Sequence, residues 1–170
     1  MFFTDAQKKE LKDWIKTIIF AILIYLIMSI FVFSVKVDGD SMNPTFTHGN
    51  FLFSSRDYLV GEYDRGDVVV FESPMLGRAL IKRVIGIPGD TVKIENGEVF
   101  VNGKKIDEPY INNPPLETLE VVVSEGHYFL MGDNRQNSLD SRFELVGLVD
   151  RTQMMGKVVL EVFPKLQIIK

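Results

Sequence analysis

The sequence predicts an all-β domain, built as coiled antiparallel sheets or a partly closed barrel, behind one N-terminal transmembrane helix. Two observations carry this. Thr17 to Val35 is a single apolar run without a charged residue. From Lys36 onward the pattern changes to short β-branched runs broken by Gly, Asn and Pro, which is how strands and their turns are written. At 170 residues the chain has room for one ordinary domain and an appendage.

The apolar run just meets the roughly 20 residues that a helix needs to cross the hydrocarbon core. Lys16 and Lys36 bracket it, and Ser29 and Ser34 do not make a polar face. Lys8, Lys9, Lys12 and Lys16 precede it and Trp14 sits at its edge, so the lysine bias places residues 1–16 in the cytoplasm and the rest outside. The run exceeds the h-region of a removable signal peptide, and SVKVDGDS offers no small-x-small cut. The helix is therefore expected to stay as an anchor in the cell membrane.

Strands are expected at Asn50–Ser54, Asp67–Phe71, Ala79–Ile87, Thr91–Glu95, Glu98–Val101, Leu119–Val123, His127–Met131 and Gly156–Phe163. Asn96-Gly97 suits a type I′ hairpin turn, whose two central residues need positive φ, and Asn102-Gly103 repeats the signal. Residues 91–124 then form a small β insertion within a larger domain made of 36–90 and 125–163, leaving 164–170 as a tail. Many short strands must hide their edges, which favours partial closure.

Composition removes several kinds of chemistry. With no Cys there is no thiol nucleophile, disulfide framework or thiolate zinc site. A net charge of −4 gives no basic surplus for nucleic acid. The two histidines, His48 and His127, each lie beside Gly in turn-like settings. Asp38 and Asp40 do not open a calcium loop, because the Gly at the sixth and the Glu at the twelfth position are missing. No metal and no cofactor are expected.

Three polar segments sit beside apolar strands. In Val37–Phe46, Ser41 lies in a Gly-Asp turn that can present its hydroxyl, but a bare hydroxyl needs a neighbouring base. In Ala79–Asp90, strand alternation puts Lys82 on one face with Leu80 and Val84, and Ile81, Arg83 and Ile85 on the other. Such a lysine is either water-facing on an edge strand or desolvated, and desolvation lowers an amine's pKa until it can accept a proton. In Gly132–Arg142, Asp140 and Arg142 can pair and Ser138 can donate to a nearby amine; the same loop can equally be a solvated turn.

Taken together, these segments resemble the type I signal peptidase family of Ser-Lys serine proteases. SMNPT (Ser41–Thr45), GDVVVF (Gly66–Phe71), KRVIGIPGD (Lys82–Asp90) and GDNRQNSLDSR (Gly132–Arg142) follow one another in the family's order, behind a membrane anchor. The resemblance implies an endopeptidase that removes signal peptides from exported preproteins through an acyl-enzyme. Ser41 would be the nucleophile and Lys82 the general base and later general acid. Ser138 would orient the Lys82 amine, Asp140 and Arg142 would hold the last loop, and Asp133 would brace it. The backbone N–H of Ser41 would contribute to the oxyanion hole, where some members add a Ser hydroxyl and this chain has Gly39. Val35, Val37, Met42, Phe46, Leu80 and Ile81 would line the substrate pocket. The implied partners are small-x-small preproteins, the lipid bilayer and a nearby export translocon, and the implied place is the outer face of the cytoplasmic membrane. Two rivals are weighed against this. A self-cleaving repressor would share the Ser-Lys pair but not the apolar helix, and a tethered binding module would make the Ser41 and Lys82 segments coincidental.

Overall fold

The computed structural model describes residues 4–169; Met1–Phe3 of the expected cytoplasmic segment and Lys170 of the expected tail lie outside the described residues. The chain opens on helix α1, Asp5–Phe31, whose N-terminus is closed by a Thr4/Gln7 capping box. At about 1.5 Å per residue its 27 residues reach about 40 Å, more than a bilayer core. Its apolar stretch has a mean hydropathy of 2.3, and none of its side chains is buried against the rest of the chain.

The helix ends four residues before the apolar run does. Val32–Lys36 is strand β1, paired antiparallel with β2, Phe51–Arg56. Val32, Phe33 and Val35 are good strand formers, and β2 pairs with the backbone groups on one side of them. Arg56 Nε donates to Ser29 O and the Tyr58 hydroxyl to Ile30 O, so two of the carbonyls left over at the helix end are also satisfied.

The remaining strands are β3 (Val68–Ser73), β4 (Arg78–Gly86), β5 (Thr91–Glu95), β6 (Glu98–Val101), β7 (Lys104–Lys105), β8 (Leu119–Val122), β9 (His127–Met131), β10 (Val149–Asp150), β11 (Met154–Phe163) and β12 (Gln167–Ile168). Eight of the twelve make one sheet in the order β1-β2-β11-β3-β4-β9-β10, with β12 added on β11. The other four form a small sheet, β7-β6-β5-β8. All eight expected strands are present, with bounds no more than two residues from those expected. The large sheet does not close into a barrel: β1 and β10 end its path. Part of the expected tail joins the sheet instead, as β12.

The small sheet grows from the turns read in the sequence. Asn96 and Gly97 have φ of 53° and 78°, and Asn102 and Gly103 have 53° and 76°, the positive values that a type I′ turn requires. Its inner side chains, Val92, Ile94 and Val99, pack with Ile85 and Phe129 of the large sheet, so the insertion is cemented to β4 and β9 by one apolar cluster. A second cluster, including Val37, Met42, Phe46, Leu52 and Val70, lies under the chain that follows β1.

Candidate active site

Ser41 stands in the loop between β1 and β2. Phe46 N donates to Met42 O (2.9 Å) and Asn43 N to Asp40 O (3.0 Å), which winds Asp40–Phe46 into tight turns. Met42 and Phe46, four residues apart, are both buried in the cluster beneath and pin those turns to the sheet, so Ser41 is held at the surface of a fixed loop. Gly39 has φ +96°, a conformation that glycine adopts without strain, and its N–H donates to His48 Nδ1 at 3.2 Å.

Lys82 comes from β4 and is 2% exposed. Its Nζ lies 2.7 Å from Ser41 Oγ and 3.0 Å from Ile81 O. Burial lowers its pKa to about 8; the negative charge of Asp140 opposes this, Arg78 reinforces it, and weaker effects of Asp133 and Arg142 follow. The desolvated alternative read from the strand pattern is the one adopted. Near neutral pH a fraction of such amines is already unprotonated, with its lone pair directly against a hydroxyl.

The loop Gly132–Arg142 closes over this pair. Asn134 N donates to Ser41 O and Asn134 Nδ2 to Asp40 O, both at 3.0 Å. A Cβ on Gly132 would stand 2.4 Å from Ser41 O and 2.2 Å from Ser138 Oγ, so only glycine permits this approach. Asp140 accepts from Gly132 N (2.9 Å) and from Arg142 Nε (2.8 Å), in the expected pairing, with both side chains fully buried. Asp133 receives both Nε and Nη2 of Arg83 (2.8 and 2.6 Å) and the Thr45 hydroxyl (2.5 Å), which ties the loop to the strand that carries Lys82. Ser138 differs from its expected role. Its Oγ is buried beside Gly132 without a hydrogen-bond partner among the described residues, and the contacts of the Lys82 amine are Ser41 and Ile81.

A cleft of about 790 Å³ opens on the pair. Of the six residues expected to line the substrate pocket, Val35, Val37, Met42, Leu80 and Ile81 border this cleft. Phe46 does not: it is fully buried, and its ring is spent anchoring the loop. Arg78 to Lys82 form one wall. There β4 pairs with β3, while its pairing with β9 begins only at Arg83, so this stretch keeps an unpaired edge. Sequence reasoning missed Arg83, Arg135, Thr45 and Asn134. All four lie inside the recognised boxes and could have been found as the charged, amide or hydroxyl positions left without a role. Arg78, Glu108 and Glu117 lie in stretches with no comparable signal.

The profile of the signal peptidase, peptidase S26 family matches residues 11–163. The chain belongs to this family. A signal peptidase I of Bacillus licheniformis is 39% identical, over 93% of this chain and 91% of that protein. Signal peptidase IB of Staphylococcus aureus is 36% identical, over 93% and 92%. The crystal structure of a signal peptidase I from Enterococcus faecalis V583 superposes with a TM-score of 0.52 at 30% identity, covering 58% of this chain and 97% of that one. Membership makes the chain a serine peptidase of the signal peptidase type, and with the apolar helix α1 it is a membrane-anchored one.

Proposed function

We propose that this signal peptidase cuts preproteins by a Ser-Lys mechanism, with Ser41 as nucleophile and Lys82 as base. The observation that carries the reading is the 2.7 Å separation of Ser41 Oγ from an amine whose pKa burial brings down to about 8. As Oγ attacks the scissile carbonyl, its proton passes to Nζ. The C–N bond then breaks, and Nζ returns the proton to the leaving amine. A water, deprotonated by the same amine, attacks the acyl-enzyme and frees Ser41. The N–H of Ser41 is the donor assigned to the oxyanion; Gly39 offers no hydroxyl, and its own N–H is engaged by His48.

The unpaired edge of Arg78–Lys82 suits an extended peptide, which can add to β4 as a strand and lay its carbonyl over Ser41. Leu80, Ile81, Val35, Val37 and Met42 would then be the shallow apolar walls that accept small-x-small residues and exclude larger ones. Asp133, Asp140 and Arg142 brace the site, and Ser138, which lines the same cleft as Lys82, is kept as the amine's orienting partner. Residues 36–90 and 125–163 form the catalytic unit around the 91–124 insertion. The lysines before Trp14 and at Lys16 support a cytoplasmic N-terminus, with the catalytic unit on the outer membrane face, where precursors emerge from the translocon.

The test is cleavage of a small-x-small preprotein by the detergent-solubilised full chain. Ser41→Ala should be inactive, and so should Lys82→Arg, because a guanidinium stays protonated. Both variants should keep the wild-type circular dichroism. Undiminished cleavage by either would sink the mechanism.

A further inference from the structure

The small sheet carries a segment, residues 107–117, that reaches back to the catalytic unit at four points. Arg135 Nη1 and Nη2 donate to the two carboxylate oxygens of Glu108 (2.8 and 2.5 Å), and neither side chain is more than 8% exposed. Arg142 Nη1 donates to Glu117 (2.7 Å). Gln136 Nε2 donates to Pro114 O (3.2 Å). The Tyr110 ring lies under the Arg83 guanidinium, 4.0 Å away, and its hydroxyl donates to Glu108 (3.0 Å).

These contacts lead to the reacting atoms by short routes. Arg135 also donates its Nε to Gly132 O (3.0 Å), and Arg142 its Nη2 to Arg135 O (2.7 Å), so the two arginines lock the loop from inside. Between them in the chain of contacts stand Gly132, packed on Ser41 O, and Asn134, bonded to it. Arg83 neighbours Lys82 on β4 and holds Asp133. A loop made largely of polar residues is positioned by charge-assisted bonds, and its side-chain partners outside the loop include Arg83 and Thr45 on one side and Glu108 and Glu117 of the insertion on the other.

We propose that Glu108 and Glu117 are positioning residues for catalysis: through Arg135 and Arg142 the insertion sets the register of the catalytic loop against Ser41. This rests on Ser41 being the nucleophile. The insertion thereby acquires a task that does not require it to touch substrate. The carboxylates act chiefly on kcat: the apolar walls assigned to the peptide, Val35, Val37, Leu80 and Ile81, belong to other elements, while the loop adds Gln136, Asn137, Ser138 and Leu139 to the cleft on the side of the Ser41–Lys82 pair.

The experiment measures kcat and KM of the full chain in detergent on a soluble small-x-small peptide, per folded molecule as counted by circular dichroism. Glu108→Gln and Glu117→Gln should each lower kcat about tenfold or more with KM within about twofold, the scale expected when a reacting group is displaced by a fraction of an ångström. Glu108→Gln combined with Arg135→Gln should lose no more than the worse single variant, because both break one route. If Glu108→Gln does not fold, the half-exposed Glu117 decides alone. Folded variants with wild-type kcat, or losses that reside in KM, would overturn the proposal. Wild type and Ser41→Ala run alongside: activity in Ser41→Ala defeats the underlying mechanism, whereas an inactive Ser41→Ala with unaffected glutamate variants defeats only the clamp.

Discussion

Replacing Lys82 with methionine should make the protein more stable while making it inactive. The pKa of Lys82 falls from 10.5 to about 8 on folding, chiefly by burial. At about 1.4 kcal/mol per pKa unit, holding the ammonium in the folded protein at neutral pH costs about 3 kcal/mol. Methionine fills a similar volume without charge. It forfeits the contacts to Ser41 Oγ and Ile81 O, each worth about 1 kcal/mol net, which leaves a gain of about 1–2 kcal/mol. For a chain of this size that is a rise of roughly 3–6 °C in Tm. The pH dependence identifies the cause. Below pH 8 the amine is protonated in both states and the penalty is fully present. Between about pH 8 and 10.5 the unfolded chain binds the extra proton, so wild-type stability rises with pH and the advantage of Lys82→Met shrinks. Urea unfolding of both proteins across this range measures it. A variant less stable than wild type, or an advantage that ignores pH, would refute the reasoning.

Two other outcomes follow from the same geometry. The kcat/KM on a soluble peptide should fall about tenfold per pH unit below the Lys82 pKa of about 8 and level off above it, because only the neutral amine accepts the Ser41 proton; a profile flat down to about pH 6 would contradict a lysine base. Gly132→Ala should lower kcat by about 10²-fold or more, since the new methyl would stand 2.4 Å from Ser41 O and must push the nucleophile loop aside. Wild-type kcat in that variant would show that the loop is not in register with Ser41.

Much of this site was legible because it is local. The Asn-Gly turns need positive φ, so residue type and spacing alone point to the hairpins; strand alternation puts Lys82 on one face with Leu80 and Val84 but leaves it open between a water-facing and a desolvated lysine, and the family resemblance chooses the base. What escaped is non-local. Val32–Lys36 continues an apolar run, and nothing in its own composition tells that β2 is waiting to pair with it. The family resemblance places Phe46 in the pocket, yet the turn at Met42–Phe46 buries it in the core. The pairing of Asp133 with Arg83 spans 50 residues, and Glu108 with Arg135 spans 27; only the folded sheet order brings them together. Ser138 lies in the loop beside the pair, but its Oγ has no hydrogen-bond partner among the described residues, and which atoms a hydroxyl meets is not written in its own stretch of sequence.

The central claim is that Ser41 is acylated because Lys82 removes its proton. Covalent trapping tests it most directly. The full chain is treated with a small-x-small peptide ester at about pH 8, quenched with acid and mapped by mass spectrometry. The expected result is one acyl adduct on the peptide that carries Ser41, absent from Lys82→Met under the same conditions. An adduct on another residue, or equal labelling of Ser41 in Lys82→Met, would contradict it.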